Sequence, residues 1–189
     1  MVSSYNEKKK HVRINLGCGW NKLEGYINCD IDPQVKPDKI VDLSKRLPFK
    51  TNSVDEVFTS HTLEHIPQEI LVNVTLPEIW RVCKKGAKVK IVVPYMDAQP
   101  VLNHYVRFSE DTFNNWCRPC YQTNVKNSDT FPFEFSFHVE KIELGKSAIW
   151  GWLHSLIPLK VWHGLWTHLI GEIRAYLVVN KDLNTKYTQ

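Results

Sequence analysis

The chain has little net charge. Its 189 residues carry 24 Lys and Arg against 20 Asp and Glu, leaving +4. That is too slight a surplus for a surface built to grip nucleic acid, so no nucleic-acid partner is expected. Much of the surplus sits in Lys8, Lys9 and Lys10 of a polar N-terminal arm, residues 1 to 11. Such an arm is a solvated tail or a weak hold on an anionic surface. An apolar signal-like segment is missing from the N terminus, so secretion is not expected. Cysteine is sparse. Five of them, an odd number and scattered, suit reduced thiols and a cytoplasmic location. Cys117-Arg118-Pro119-Cys120 has no second Cys pair to complete a structural zinc set. His104 and His138 are the residues that would have to complete one. No thioredoxin-like pattern surrounds it, which disfavours a redox role. No metal-ligand cluster stands out, so a metal-independent reaction is expected.

What is there is an ordinary globular composition, 43% hydrophobic and 23% charged. The length suits one domain, residues 12 to 189. Its most informative stretch is VRINLGCGWNKLEGYINCDID, residues 12 to 32. Val12, Ile14 and Leu16 alternate as a short buried strand does. Gly17-Cys18-Gly19 follows at once. Two glycines around a small residue allow a sharp turn and a close backbone approach to a ligand. A second strand-like run, Tyr26 to Cys29, ends on Asp30. A carboxylate at that strand tip is placed to accept hydrogen bonds from a ribose diol, as in nucleoside sites of open α/β sheets.

With Asp30 in place the chain resembles the class I S-adenosylmethionine-dependent methyltransferases. It looks closest to a small subgroup with an LGCG turn and a GYxNxD second strand, and the resemblance runs from about Val12 to Phe113. It implies a Rossmann-like α/β sheet, mostly parallel, with an antiparallel pair of strands at the C-terminal edge. It implies S-adenosyl-L-methionine as cofactor. The family's third loop glycine is replaced by Trp20-Asn21, and the link from Gly19 to Tyr26 is short. A parallel crossover takes about a dozen residues or more. Either the first helix is reduced to about one turn or the two strands form a hairpin. The reduced helix is favoured because it brings Asp30 beside the glycine turn.

The later motifs fit the same resemblance. Lys39 to Asp42 reads as a third strand, KIVD. Read alone, Asp42 caps the following turn. The resemblance gives it the adenine amino group instead, with the backbone of Leu43 at the ring edge. LPF at Leu47-Pro48-Phe49 precedes a fourth strand, Asp55 to Ser60, which ends in SHTLEH. This resembles the family's SxxLEH signature, and it implies that Ser60 and His61 border the methionine half of the cofactor. Glu64 and His65 are expected to hold the loop at a helix start. The cofactor set is therefore Leu16, Gly17, Cys18, Gly19, Asp30, Ile31, Asp42, Leu43, Ser60 and His61.

A helix is expected from Ile66-Pro67, broken before Pro77 and restarted from a cap at Thr75. It should end at Lys84-Lys85-Gly86, before a strand over Val89 to Val93. His104 to Phe113 resembles the HxRFFT…TF stretch of methyltransferases from surface-polysaccharide and antibiotic gene clusters. His104 is the candidate catalytic residue, as a base for a hydroxyl receiving a methyl group, or else a loop-to-core tie. Residues 114 to 130 read as a loop or lid. Phe131 to Leu144 and Ile173 to Val179 read as the edge pair.

Between that pair lies an insert, residues 146 to 171, with four of the seven tryptophans and no Asp or Glu. Pro158, Lys160, His154, His163 and His168 interrupt its apolar surface, so a spanning helix is not expected. Two short amphipathic helices would pack on the sheet, form a homodimer face, or rest peripherally on a membrane. The expected activity is methyl transfer to oxygen on a sugar or other small molecule, in a glycan or its lipid-linked precursor. The alternative is an inactive binding or scaffold protein on the same fold. A nicotinamide oxidoreductase is disfavoured because the turn lacks GxGxxG. No Asn-Pro-Pro-Tyr type motif follows the fourth strand, which argues against amino-group methylation of adenine or glutamine.

Overall fold

The computed structural model describes residues 11–96, 103–117, 133, 135–146 and 170–182. Residues 1–10 of the N-terminal arm and nearly all of the aromatic insert lie outside them, as does Cys120.

Seven strands form one sheet in the order β3-β2-β1-β4-β5-β7-β6. They are β1 (Arg13–Leu16), β2 (Ile27–Asp30), β3 (Lys39–Ile40), β4 (Val54–Ser60), β5 (Cys83–Pro94), β6 (Ser136–Lys146) and β7 (Ile170–Asn180). The first five pair in parallel, and β7 runs antiparallel to both β5 and β6. The expected mixed sheet is therefore present, with its antiparallel edge. In β1, Ile14, Asn15 and Leu16 are all buried, as a central parallel strand requires. Of their partners across the sheet, Asn28, Cys29, Val57 and Thr59 are buried as well.

The link from β1 to β2 is reduced beyond expectation. It holds turns and no helical residue, yet the strands pair in parallel, so no hairpin forms. Two asparagines do the work of the missing helix. Buried Asn15 donates to the Asn21 carbonyl (3.1 Å) and to Asn28 Oδ1 (3.0 Å). Asn28 Oδ1 also accepts from the Leu23 amide (2.8 Å), while Asp38 accepts from both the amide and the side chain of Asn28. Backbone groups that a helix would have paired internally are paired by side chains instead.

Two helix boundaries differ from expectation. The chain is helical without a break from α1 (Gln68–Ile70) through a π turn, Leu71–Thr75, to α2 (Leu76–Val82). Thr75 does not cap; its hydroxyl donates to the Leu43 carbonyl (2.9 Å). Pro77 falls in the first turn of α2, where its missing N–H costs little, and the wider π turn accommodates the offset. The helix ends at Val82, and β5 begins at Cys83. Lys84 is drawn into the strand by Asp55 (2.6 Å), whose other oxygen accepts from the Val12 amide (2.8 Å). Glu78 and Arg81 form a two-bond pair, each bond 2.7 Å, that ties α2 to the LPF loop through the Leu47 amide. The helix α3 (Glu110–Asn115) begins at a Ser109 capping box and buries Phe113 against Phe108 and Trp116.

Burial pushes the thiols of Cys29 and Cys83 up to about 12, which makes them inert core residues. Among the described residues, no helix is long and apolar enough to cross a membrane.

Candidate functional site

The glycine turn sits at the carboxyl end of β1. Gly17 has φ +67°, and a Cβ there would lie 2.1 Å from Thr62 Oγ1, so only glycine fits. Gly19 has φ +49° but nothing within 4 Å of an added Cβ, because it faces open space. The Gly19 amide donates to Asp30 Oδ2 (2.7 Å) and the Asp32 amide to Asp30 Oδ1 (3.0 Å). Each oxygen keeps a lone pair for an incoming hydroxyl. The Cys18 amide on the Cys29 carbonyl (2.9 Å) closes the turn over β2.

This turn opens on a cavity of about 420 Å³, a volume usual for small-molecule sites. Gly17, Gly19, Asp30, Ile31, Asp42, Leu43 and His61 line it. Leu16 and Cys18 are buried in the core beneath it, and Ser60 ends β4 with its carbonyl accepting from Thr62 (3.1 Å). Asp42 accepts from the Ser44 amide (2.9 Å) and hydroxyl (2.6 Å) and pairs with exposed Lys45 (3.0 Å). The Ser44 bonds, then Lys45, hold its carboxyl below the usual carboxylate range. Asp42 thus caps the turn and faces the cavity together; the two readings of it do not compete.

On the far wall the backbone is strained. His61 has φ +50°, an uncommon conformation for a residue with a Cβ. Its amide donates to the Val92 carbonyl (2.9 Å). Its Nδ1 lies 3.4 Å from Glu64 Oε1 and its Nε2 3.5 Å from Glu172 Oε2 on β7. The Glu64 carboxylate, with Glu172 behind it, raises the imidazole pKa against the opposing effect of burial.

His65 lines the same cavity, while His104 lines a second one of about 600 Å³ with Gln68, Tyr105, Arg107 and Trp116. The two imidazole rings meet edge to face at 4.8 Å, between the cavities. Two bonds clip the His104 segment onto the Leu63–His65 turn. Tyr105 donates its amide to the Glu64 carbonyl (2.7 Å), and His65 Nδ1 lies 3.2 Å from the Asn103 carbonyl. Sequence reasoning gave Glu64 and His65 a loop-holding role and did not join them to His104. Thr62, Ser44 and Glu172 were also missed. The TLEH run was the available signal for Thr62 and His65; nothing in the sequence pointed to Glu172.

Known proteins share this fold. Residues 16–91 match the family model described as a methyltransferase domain. A SAM-dependent methyltransferase from Archaeoglobus fulgidus is 18% identical with a TM-score of 0.59, over 90% of this chain and 87% of that one. An S-adenosylmethionine-dependent methyltransferase from Mesorhizobium loti is 11% identical with a TM-score of 0.54, over 89% and 91%. The [4+2]-cyclase SpnF is 13% identical with a TM-score of 0.54, over 90% of this chain and 76% of that one. No curated protein sequence matches.

The fold is that of the class I S-adenosylmethionine-dependent methyltransferases, and residues 16–91 carry the match to a methyltransferase domain. Both of those methyltransferases, from Archaeoglobus fulgidus and Mesorhizobium loti, depend on S-adenosylmethionine.

Proposed function

We propose that the chain methylates a hydroxyl oxygen of a sugar or other small molecule, with a glycan or its lipid-linked precursor as the acceptor class. The observation that carries the methyltransferase reading is Asp30. Its two oxygens are oriented by backbone amides and face a cavity that Asp42 shares. In this reading Asp30 holds the ribose diol and Asp42 the adenine amino group, with Ile31 and Leu43 along the base. The backbone of Leu16 to Gly19 and the residues Ser60 and His61 border the methionine end. The resemblance of His104 to Phe113 to polysaccharide-cluster methyltransferases supports a sugar acceptor, and the second cavity beside His104 gives that acceptor room. A cytoplasmic chain, in contact with a membrane or a second copy through residues 146 to 171, fits a lipid-linked acceptor.

Methyl transfer asks the protein mainly for alignment. The acceptor oxygen forms a bond to the methyl carbon, the C–S bond breaks, and its electron pair stays on sulfur. The sulfonium becomes the neutral thioether of S-adenosylhomocysteine, and the hydroxyl proton leaves. His104 acts on that proton. The fold is not proof of methyl transfer, since a cyclase shares it. Isothermal titration with S-adenosylmethionine and S-adenosylhomocysteine should show saturable binding of both. Absence of binding to either at high concentration removes the enzyme reading. With a sugar acceptor in hand, His104→Ala should keep cofactor affinity and lower turnover; unchanged turnover would confine His104 to holding its loop.

A further inference from the structure

We propose that Glu64, His65 and His104 form a binding site for one divalent cation of the zinc class, at the junction of the two cavities. One ligand atom from each lies within 4.8 Å of the other two. Donors about 2.1 Å from a shared tetrahedral ion sit about 3.4 Å apart, so side-chain rotations that bring the atoms about 1.4 Å closer complete the set. Two imidazoles and a carboxylate are a borderline-soft set that suits zinc or a similar transition metal rather than magnesium or calcium.

The independent observation is the state of Glu64. It is 1% exposed, and neither carboxylate oxygen has a hydrogen bond. A buried carboxylate left in that condition is costly, and native structures seldom leave one. His61 meets only Oε1, at 3.4 Å and outside hydrogen-bond geometry. A cation between Glu64, His65 and His104 removes the deficit. The neighbouring groups are already arranged for it. The Asn103 carbonyl takes the Nδ1–H of His65, which leaves Nε2 with its lone pair for a metal, the usual outer support of a ligating histidine. Tyr105 fixes the backbone of Glu64 and brings His104 over it. Three protein ligands leave a fourth position open toward the cavities, where water or an acceptor oxygen would sit. A hydroxyl bound there loses its proton more readily. The released proton passes to water in the cavity, and His104 then assists as a ligand rather than as a base. This last step rests on the methyltransferase reading; binding of the cation does not.

The test uses the full chain, stripped with a chelator and titrated with Co²⁺, then with Zn²⁺ in competition. One equivalent of Co²⁺ should bind with visible ligand-field absorption, and Zn²⁺ should displace it. Zn²⁺ should also raise the melting temperature of the unaltered chain. Glu64→Gln and His104→Ala should each weaken Co²⁺ binding at least tenfold, while His138→Ala on β6 should not. Circular dichroism of the metal-free variants confirms that they fold, and the melting shift needs no variant. No saturable binding together with no melting shift overturns the site. So does Co²⁺ affinity that survives both Glu64→Gln and His104→Ala in folded protein. S-adenosylmethionine affinity is measured alongside: metal binding without cofactor binding would sink the methyltransferase reading and leave this site standing.

Discussion

The two walls of the junction are built on opposite principles. On the glycine-turn side Asp30 is partnered by the amides of Gly19 and Asp32, Asp42 by Ser44 and Lys45, and Asn28 by Leu23 and Asp38. On the opposite side His61 sits in a strained conformation and Glu64 is buried without a hydrogen bond. The first wall is a finished mould that binds by fitting. The second holds unmet electrostatic demand, which is where chemistry is expected to fall. In the proposed reaction the first wall can be rigid because the cofactor carries its own reactive sulfonium, and the wall facing the acceptor moves a proton.

The largest effect expected from breaking the finished wall is at Gly17. Gly17→Ala combines a left-handed φ with a Cβ driven into Thr62, and should cost about 3 kcal/mol of unfolding free energy in urea titration. A loss under about 1 kcal/mol would mean that Thr62 moves aside and the wall is less rigid than described. Next comes Asp30→Ala. It removes the acceptor of two amides and of the ribose diol, and S-adenosylmethionine affinity should fall roughly 100-fold, about 2.7 kcal/mol, with the fold retained. Unchanged affinity on calorimetry would place the ribose elsewhere. Gly19→Ala sharpens the contrast with Gly17, since its Cβ meets nothing. Stability should drop by only about 1 kcal/mol, from the backbone alone, while cofactor affinity suffers because the methyl enters the cavity. Equal destabilisation at both glycines would erase the distinction between a packed turn and an open one.

The smallest effect concerns acid. The Asp42 carboxyl is held below its usual pKa, so its contribution is present above the unfolded value near 3.9 and is lost as pH falls through the folded value. Ser44→Ala removes the main cause of that shift. The variant should be less stable at pH 7 by about half a kcal/mol or less, and the difference should vanish near pH 2. A gap that persists at pH 2 would show that Ser44 acts through packing and not through Asp42.

Much of the nucleoside wall was legible in the sequence because it is local. Gly17, Gly19 and Asp30 stand within one short stretch, and the parallel pairing of β1 and β2 puts them at one end of the sheet. The LPF and LEH runs placed β4 and the turn after it in the same way. The link between β1 and β2 was read only in part. Its brevity was visible, but replacing the helix by an Asn15–Asn28–Asp38 network needs three residues whose contacts no periodicity reports. Pro77 was read as a break because an α-helix has no room for it in mid-run. The π turn before it shifts Pro77 into a first turn, and packing chose that solution.

The sequence by itself determined the glycine turn, the acid at the end of the second strand, and the parallel sheet that sets them together. It could do so because neighbours in the chain remain neighbours at a strand end, whatever the rest does. Tertiary structure alone decided the opposite wall. Only folding brings His104 onto Glu64 and His65, and Glu172 from the last strand onto His61. Those groups are distant in the chain, and the burial that makes Glu64 consequential is a property of the packed core, not of the residues around it in sequence.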